Sequence, residues 1–304
     1  MKFNLGITGH TGVLGSEFIK YNFAKKFIKF KGNITKKREI KEWISNKKIN
    51  CLFHFAAVVP TKIVKNDLDY ANKVNFLGTK YLVDECLKSK NIKWFFFAST
   101  SHVYGFSSKK IKETKKTKPI SKYGYTKLKA EKYIVKSFAR KKIPYCIGRI
   151  FSFTHKKQSE DFVVPSIMKK IDKENYTFEN VNHYRDFIST KDICSAIRIL
   201  FNNKAQGIYN IGSGKKILIS DLIKIIARKK NKKILLKKNK KRTCLFADIS
   251  KIKRELNWSP QIDIETGVSK LIENMDYWRE APVWDKESIN KATEDWFKYL
   301  GDQR

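Results

Sequence analysis

Tyr123 and Lys127 stand four residues apart in "SKYGYTKLKAEKYI", a spacing that stacks both side chains on one face of a helix. An ammonium beside a phenol favours the phenolate and makes the tyrosine a usable proton donor or acceptor. Taken alone, the pair also suits an ordinary half-buried helix face. Upstream, the apolar run in "FFFASTSHVYG" ends in Ser99, Thr100, Ser101 and His102. Hydroxyls at the carboxyl end of a parallel strand lie where open α/β sheets bind ligands; a plain polar strand exit would read the same way. Near the amino terminus, "ITGHTGVLG" places Gly9, Gly12 and Gly15 between one apolar run and the next. Gly9 permits a sharp turn off a strand, Gly12 lets the backbone approach a pyrophosphate, and Gly15 lets a helix pack closely. The helix N-terminus then offers N–H groups to anionic oxygens. A purely structural turn would use the same three glycines.

These groups need a scaffold, and the chain supplies alternating apolar segments. Residues 2–8 read as a buried strand, 12–23 as a helix, 26–30 as a short strand, 38–45 as a helix and 51–57 as a strand. An amphipathic stretch over 67–88 precedes a strand at 92–99, a helix at 123–140 and a strand at 144–151. Such alternation predicts an α/β fold, a doubly wound parallel sheet covered on both faces. Beyond Phe151 the alternation loosens into helical pieces at 190–201, 220–228 and 265–278 and a strand in "GIYNIG". The expected division is a nucleotide-binding domain over 1–149, to which 186–211 returns, and a smaller lobe from 150–185 and 212–304.

The formal charge of +36 would attract nucleic acid, anionic membrane or phosphorylated ligands. Only ten of the 65 basic residues are arginine, and the lysines scatter through every segment. Recognition grooves recruit arginine, and no zinc-finger spacing, aromatic RNA-binding signature or basic zipper is present. Neither a nucleic-acid partner nor a metal site is therefore expected. Five cysteines, odd in number and widely spaced, suit reduced thiols in a cytoplasm. No apolar stretch long enough to span a membrane occurs, so no membrane association is expected. The basic run "KKNKK" at 237–241 reads as a solvated loop.

In order along nearly the whole chain, "TGHTGVLG", "FKGNIT", "HFAAVVP", "VNFLGTKYLVDEC", "STSHVYG", the Tyr123/Lys127 pair, "GRIFSF", "YRDFISTKDICSAI", "GIYNIGSG" and "ADISKIKRELNWSP" follow one another. Their succession closely resembles the extended short-chain dehydrogenase/reductase family, the nucleotide-sugar epimerases, dehydratases and reductases. The resemblance implies a Rossmann-type domain with a C-terminal substrate-binding lobe, and hydride transfer between a nucleotide-sugar and NAD or NADP. It implies that Tyr123 exchanges a proton with a sugar oxygen, that Lys127 tunes Tyr123 and holds the ribose, and that Thr100 hydrogen-bonds the same sugar oxygen. Gly9, Gly12, Val13, Leu14 and Gly15 would cradle the pyrophosphate. Asn33 and Ile34 would meet the adenine, and Ala56, Ala57 and Asn75 would line the cofactor. Ser101, Ser152 and Arg185 would face the substrate, Arg185 gripping its diphosphate; the alternative for Arg185 is a salt bridge to Asp186. A cytoplasmic homodimer in polysaccharide biosynthesis is the expected setting.

Four departures qualify that picture. No acidic residue lies between Phe18 and Arg38, where NAD-preferring members place one for the adenosine ribose; with Lys25, Lys26, Lys29 and Lys31 nearby, NADP is favoured. Asn33 stands where the family often has Asp. Thr100, Ser101 and His102 replace the Thr-Asp-Glu of sugar-nucleotide dehydratases and differ from the Thr-Ser-Glu of decarboxylating relatives only at His102. Epimerisation or 4-keto reduction is therefore the first reading, and dehydration or decarboxylation the second. A catalytically silent NAD(P)-binding sensor or scaffold is the third. If strand geometry continues past Thr100, His102 points to the same side, either as an acid–base group titrating near neutrality or as a hydrogen-bonded loop residue. Ser152 and His155 stand where relatives commonly show Asn and Gly, which alters the sugar pocket. The tryptophan-rich "YWREAPVWDKESINKATEDWFKYLG" reads as core or dimer packing.

Overall fold

The computed structural model describes residues 3–22, 26–59, 66–89, 91–158, 160–173, 176–237 and 242–273. The tryptophan-rich tail and most of the 237–241 basic run lie outside the described residues.

The apolar runs become strands β1 (Leu5–Thr8), β2 (Phe27–Lys29), β3 (Cys51–His54), β4 (Trp94–Thr100) and β5 (Tyr145–Ile150). Two short strands, β6 (Ser152–Thr154) and β7 (Thr177–Phe178), lead to β8 (His183–Arg185), β9 (Phe187–Ser189) and β10 (Gly207–Ile211). The six-stranded sheet has the order β10-β5-β4-β3-β1-β2, with every pair parallel. From β1 the chain moves outward to β2 and then crosses to β3 on the other side. That reversal opens a crevice at the carboxyl ends of β1 and β3, where such sheets bind ligands. Register aligns Thr8 with His54, so the ends of both strands lie at one edge.

Continuous apolar sequence in β4 serves two faces. Trp94 and Phe96 enter one core with Phe18, Phe53, Ile193 and Phe201, beneath helices Val13–Tyr21 and Thr190–Asn202. Phe95 and Phe97 enter the other with Ile40, Leu82, Ile134 and Phe138, beneath helices Lys37–Asn46, Thr79–Ser89 and Lys122–Lys141. Each buried aromatic contributes about 1.5–3 kcal/mol, so β4 anchors both layers.

A separate apolar core joins helices Val163–Ile171, Ile219–Lys229 and Ile264–Ile272. Beside it, β8 pairs with β11 (Ile217–Leu218) and β13 (Thr243–Leu245), and β7 pairs with β12 (Leu235–Leu236).

Three sequence expectations shift. The 51–57 strand stops at His54, because its partner β1 ends at Thr8 and turns away at Gly9; beyond it the Asn75 amide takes the backbone N–H and C=O of Val58, at 2.8 and 2.9 Å. The 67–88 stretch is a short helix, Leu68–Asn72, a π-helical turn at Lys73–Gly78 and the Thr79–Ser89 helix. β4 gives way after Thr100 to a tight 3₁₀ turn, Ser101–Val103, so the strand alternation expected to carry His102 is broken.

Candidate active site

The glycine loop begins where β1 ends. Gly9 has φ +68°, and a Cβ there would stand 2.5 Å from the Ala56 nitrogen; only glycine fits. A Cβ on Gly15 would meet the Gly9 carbonyl oxygen at 2.1 Å, which lets the Val13–Tyr21 helix pack against the loop. At Gly12 the nearest atom would lie 3.4 Å away, so the protein itself tolerates a side chain there. What Gly12 leaves bare is the helix N-terminus, which has no side-chain cap and no acidic residue in its first turn. Its N–H groups and dipole suit a diphosphate. Val13 and Leu14 open that turn.

Beyond the loop, burial and then the charges of Lys29 and Lys31 hold the His10 imidazole below its usual range. Sequence reasoning missed His10, because its partners sit about twenty residues away. Asn33 shapes the following turn, its side-chain oxygen accepting from Thr35 N at 2.9 Å while its own N–H donates to Glu39 at 2.6 Å. Ile34 is buried against Gly78. Ala56 abuts Gly9 of the loop, with the half-buried Ala57 after it, and Asn75, fully buried, holds the backbone of Val58.

Tyr123 opens the Lys122–Lys141 helix, which Ser121 caps through Gly124 N at 3.0 Å. A Cβ on Gly124 would stand 2.2 Å from the His102 carbonyl oxygen. Glycine thus lets the helix close onto the end of β4. There Thr100, at the strand's last position, stands by the Tyr123 phenol, its Oγ1 accepting from His102 N at 3.2 Å. Burial pushes the phenol well above its ordinary range, and the nearby Thr100 hydroxyl only partly offsets this. One turn on, Lys127 is buried with its amine 3.9 Å from the centre of the Phe97 ring. Burial lowers that amine to about 7, opposed by Glu131 a further turn along. Spacing thus reports only part of this balance. Burial, not a lysine charge, dominates at Tyr123, leaving the phenol protonated and Lys127 the group that titrates near neutrality.

His102 lies in the turn that follows β4. Its Nδ1 lies 3.0 Å from Ser121 Oγ, and its ring meets Tyr123 edge-on at 6.0 Å. Burial, and after it the charge of Arg185, lowers its pKa to about 4, not to neutrality. His102→Gln is accordingly expected to leave the pH–rate profile between about pH 6 and 8 unchanged and to lower kcat by less than about tenfold. A general acid or base contributes roughly 10²-fold or more; a loss of that size, with a neutral limb removed, would make His102 a proton carrier.

On the second lobe, Arg185 lies 5.4 Å over the exposed Phe106 ring and donates to Tyr184 O and Thr243 Oγ1 at 2.9 and 3.3 Å. The salt bridge to Asp186 does not form. That carboxylate instead accepts from Ser213 N, Gly214 N and Ala247 N at 2.7, 2.9 and 3.0 Å. Arg185, His183, Lys170 and Phe178 line a cleft of about 260 Å³. A wider, open hollow of about 850 Å³ beside Lys215 and Asp263 holds none of the expected site residues. Ser101 is buried in the 3₁₀ turn and Ser152 lies in β6, beside Phe187. His155, at the end of β6, places Nε2 3.5 Å from Glu17 on the glycine-loop helix.

A parallel sheet reversing at a glycine cradle, with a Thr–Tyr–Lys cluster at the same edge, defines the extended short-chain dehydrogenase/reductase class. The family described as GDP-mannose 4,6 dehydratase matches residues 16–271, and the chain belongs to it. Among curated relatives, dTDP-4-dehydro-6-deoxyglucose reductase of Escherichia coli is 25% identical over 248 residues, covering 78% of each chain. UDP-glucuronate 4-epimerase of Thermodesulfobacterium geofontis is 28% identical over 285 residues, covering 90% of this chain and 84% of that one. Among solved structures, RMD from Pseudomonas aeruginosa complexed with NADPH superimposes with a TM-score of 0.82 at 19% identity, over 92% of this chain and all of that one. Other structures of this fold were solved with NAD.

Proposed function

We propose that the protein is an NAD(P)-dependent nucleotide-sugar oxidoreductase that works as an epimerase or 4-keto reductase. The carrying observation is the buried Tyr123 with Lys127 one turn on, beside Thr100 at the end of β4, at the sheet edge where the glycine cradle opens. The bare helix N-terminus and the steric demands at Gly9 and Gly15 fit a dinucleotide, held at its pyrophosphate by Gly9, Gly12, Val13, Leu14 and Gly15. The bound nicotinamide supplies or accepts the hydride. Tyr123, protonated at neutral pH, gives its proton to the sugar oxygen in reduction and takes it back in oxidation. Thr100 orients that oxygen, and Lys127 carries the charge that moves with the proton. Arg185 holds the diphosphate of the substrate, with residues 150–185 and 212–304 shaping the sugar pocket. Absence of an acidic pair after Thr100 favours this reading over dehydration. Mass spectrometry of co-purifying nucleotides, followed by product analysis on a panel of nucleotide sugars, tests it; binding of NAD(P) with no turnover of any sugar would favour the silent sensor.

The cofactor is expected to be NADP(H) at least as readily as NAD(H), because Lys29 and Lys31, whose charges reach His10 of the glycine loop, would attract the added charge of a 2′-phosphate. Fluorescence titration of both cofactors at two salt concentrations checks this. A clear NAD preference that survives high salt would overturn it and direct attention to Glu39, the carboxylate nearest that turn.

All five cysteines are free thiols, which supports a reducing, cytoplasmic setting, and among the described residues no helix is long and apolar enough to cross a membrane. Tyr125, 54% exposed on the catalytic helix near Phe76 and Lys129, supports a homodimer through this face. A supply role in polysaccharide assembly fits such a product.

A further inference from the structure

Five buried polar side chains lie between the glycine cradle and the catalytic helix, and each is fully excluded from solvent: Thr8, His54, Asn75, Thr79 and Thr126. Thr8 immediately precedes Gly9, and His54 faces it across the β1–β3 pair. Thr8 Oγ1 and His54 Nδ1 are 2.6 Å apart, and His54 Nε2 and Thr79 Oγ1 are 2.8 Å apart. Thr79 Oγ1 donates to the Asn75 carbonyl at 2.8 Å. Since its single proton is committed there, Thr79 accepts from His54, which fixes the proton on Nε2 and leaves Nδ1 to accept from Thr8. Thr8 in turn accepts from Ala56 N at 3.4 Å. From the other side, the Asn75 amide donates to Thr126 Oγ1 at 3.1 Å, and Thr126 donates to the Tyr123 carbonyl at 2.8 Å. Every proton in the series has one place to go. Burial, and then the charge of Lys127, keeps the His54 ring neutral, as this series requires.

We infer that His54 is a positioning residue: with Thr8, Thr79, Asn75 and Thr126 it locks the pyrophosphate cradle and the Tyr123 helix into one register, so that a change beside Tyr123 alters affinity at the glycine loop. The inference rests on the reading of the glycine loop as a dinucleotide cradle. A buried, fully satisfied network of this kind specifies one arrangement, and losing a member leaves its neighbours unpaired.

ADP serves as the probe, because it carries the diphosphate end of the cofactor and lacks the half that would meet Tyr123 and Lys127. Its affinity is measured by calorimetry for the full-length wild type, Thr126→Val, Thr126→Ser, Thr79→Val and Thr79→Ser, together with the melting temperature of each. Thr126 and Thr79 make no hydrogen bond to the glycine loop. Both valine variants are expected to bind ADP about fivefold more weakly, while the serine variants, which keep the hydroxyl, stay within about twofold of wild type. Folded valine variants that bind ADP like wild type, or serine variants that lose as much as valine, would overturn the inference. Should a valine variant not fold, His54→Asn decides: it keeps an acceptor toward Thr8, loses the donor toward Thr79, and is expected to show the same loss. A wild type that binds neither ADP nor NAD(P)H would overturn the cradle reading itself, whereas equal ADP binding by all variants overturns only the positioning role.

Discussion

Tyr123→Phe is expected to abolish turnover on the identified sugar while cofactor affinity stays within about twofold of wild type. Only the phenolic oxygen is removed, and the ring, which is nearly buried, keeps its packing. The phenol holds its proton at neutral pH because burial opposes the anion. Its loss therefore deletes the proton donor, and such groups contribute roughly 10²- to 10⁴-fold. Lys127→Met should damage both binding and turnover, since in the function proposed above the amine holds the ribose and shares in the proton balance. The wild-type profile should carry a limb near pH 7, the point to which burial lowers Lys127, and Lys127→Met should erase it. The decisive comparison is kcat against NAD(P)H affinity in the same preparations. A Tyr123→Phe enzyme that retained most of its rate would show that another group moves the proton.

The largest stability effect is expected at Arg149→Met, about 3–5 kcal/mol of destabilisation. Arg149 is buried on β5, with Nη2 2.7 Å and Nε 3.1 Å from the Glu131 carboxylate. Its Nη1 donates to the Tyr104 hydroxyl at 2.8 Å and to Glu113 O at 3.2 Å. Glu131 also accepts from Ser99. Removing the guanidinium would leave a buried carboxylate with a hydroxyl alone for company, and an uncompensated buried charge is what makes such a break expensive. The double variant Arg149→Met/Glu131→Leu should recover much of the loss, since it removes both charges. Denaturant unfolding of the two variants measures this. A single-variant loss below about 1 kcal/mol would mean that water reaches Glu131. Activity should fall with stability, because Glu131 lies one turn beyond Lys127 and opposes its loss of charge.

Much of this site was legible because its parts are local. Gly9, Gly12 and Gly15 act within one turn, and Tyr123 and Lys127 within one helix, so spacing alone reports their geometry. β4 was legible because a run of aromatics can be buried only between two covered faces. What the sequence hid was joined across the fold. His10 meets Lys29 and Lys31 only after β2 is laid beside β1. Asn75 sits in an otherwise helical pattern, and nothing local shows that its amide will pair with Val58. His102 was left between two roles because alternation does not show where a strand ends, and Thr100 accepts from His102 N there to close a tight turn. Spacing likewise carries no information about desolvation, the first cause acting on the Tyr123 phenol.

The return of β10 to the sheet has a consequence for how the chain is made. β5 pairs with β4 on one side and with Gly207–Ile211 on the other. During vectorial synthesis its outer edge therefore stays unsatisfied until residue 211 has left the ribosome. Parallel pairing over such separations is slow and leaves a strand edge open to other nascent chains. Tyr104 bonds Asn210 at 2.9 Å, and Asn210 reaches Ile111 O at 2.7 Å, so the late strand is also the latch for the segment that follows Thr100. A nascent chain halted after β5 would hold the glycine cradle, Tyr123 and Lys127 and still lack that latch.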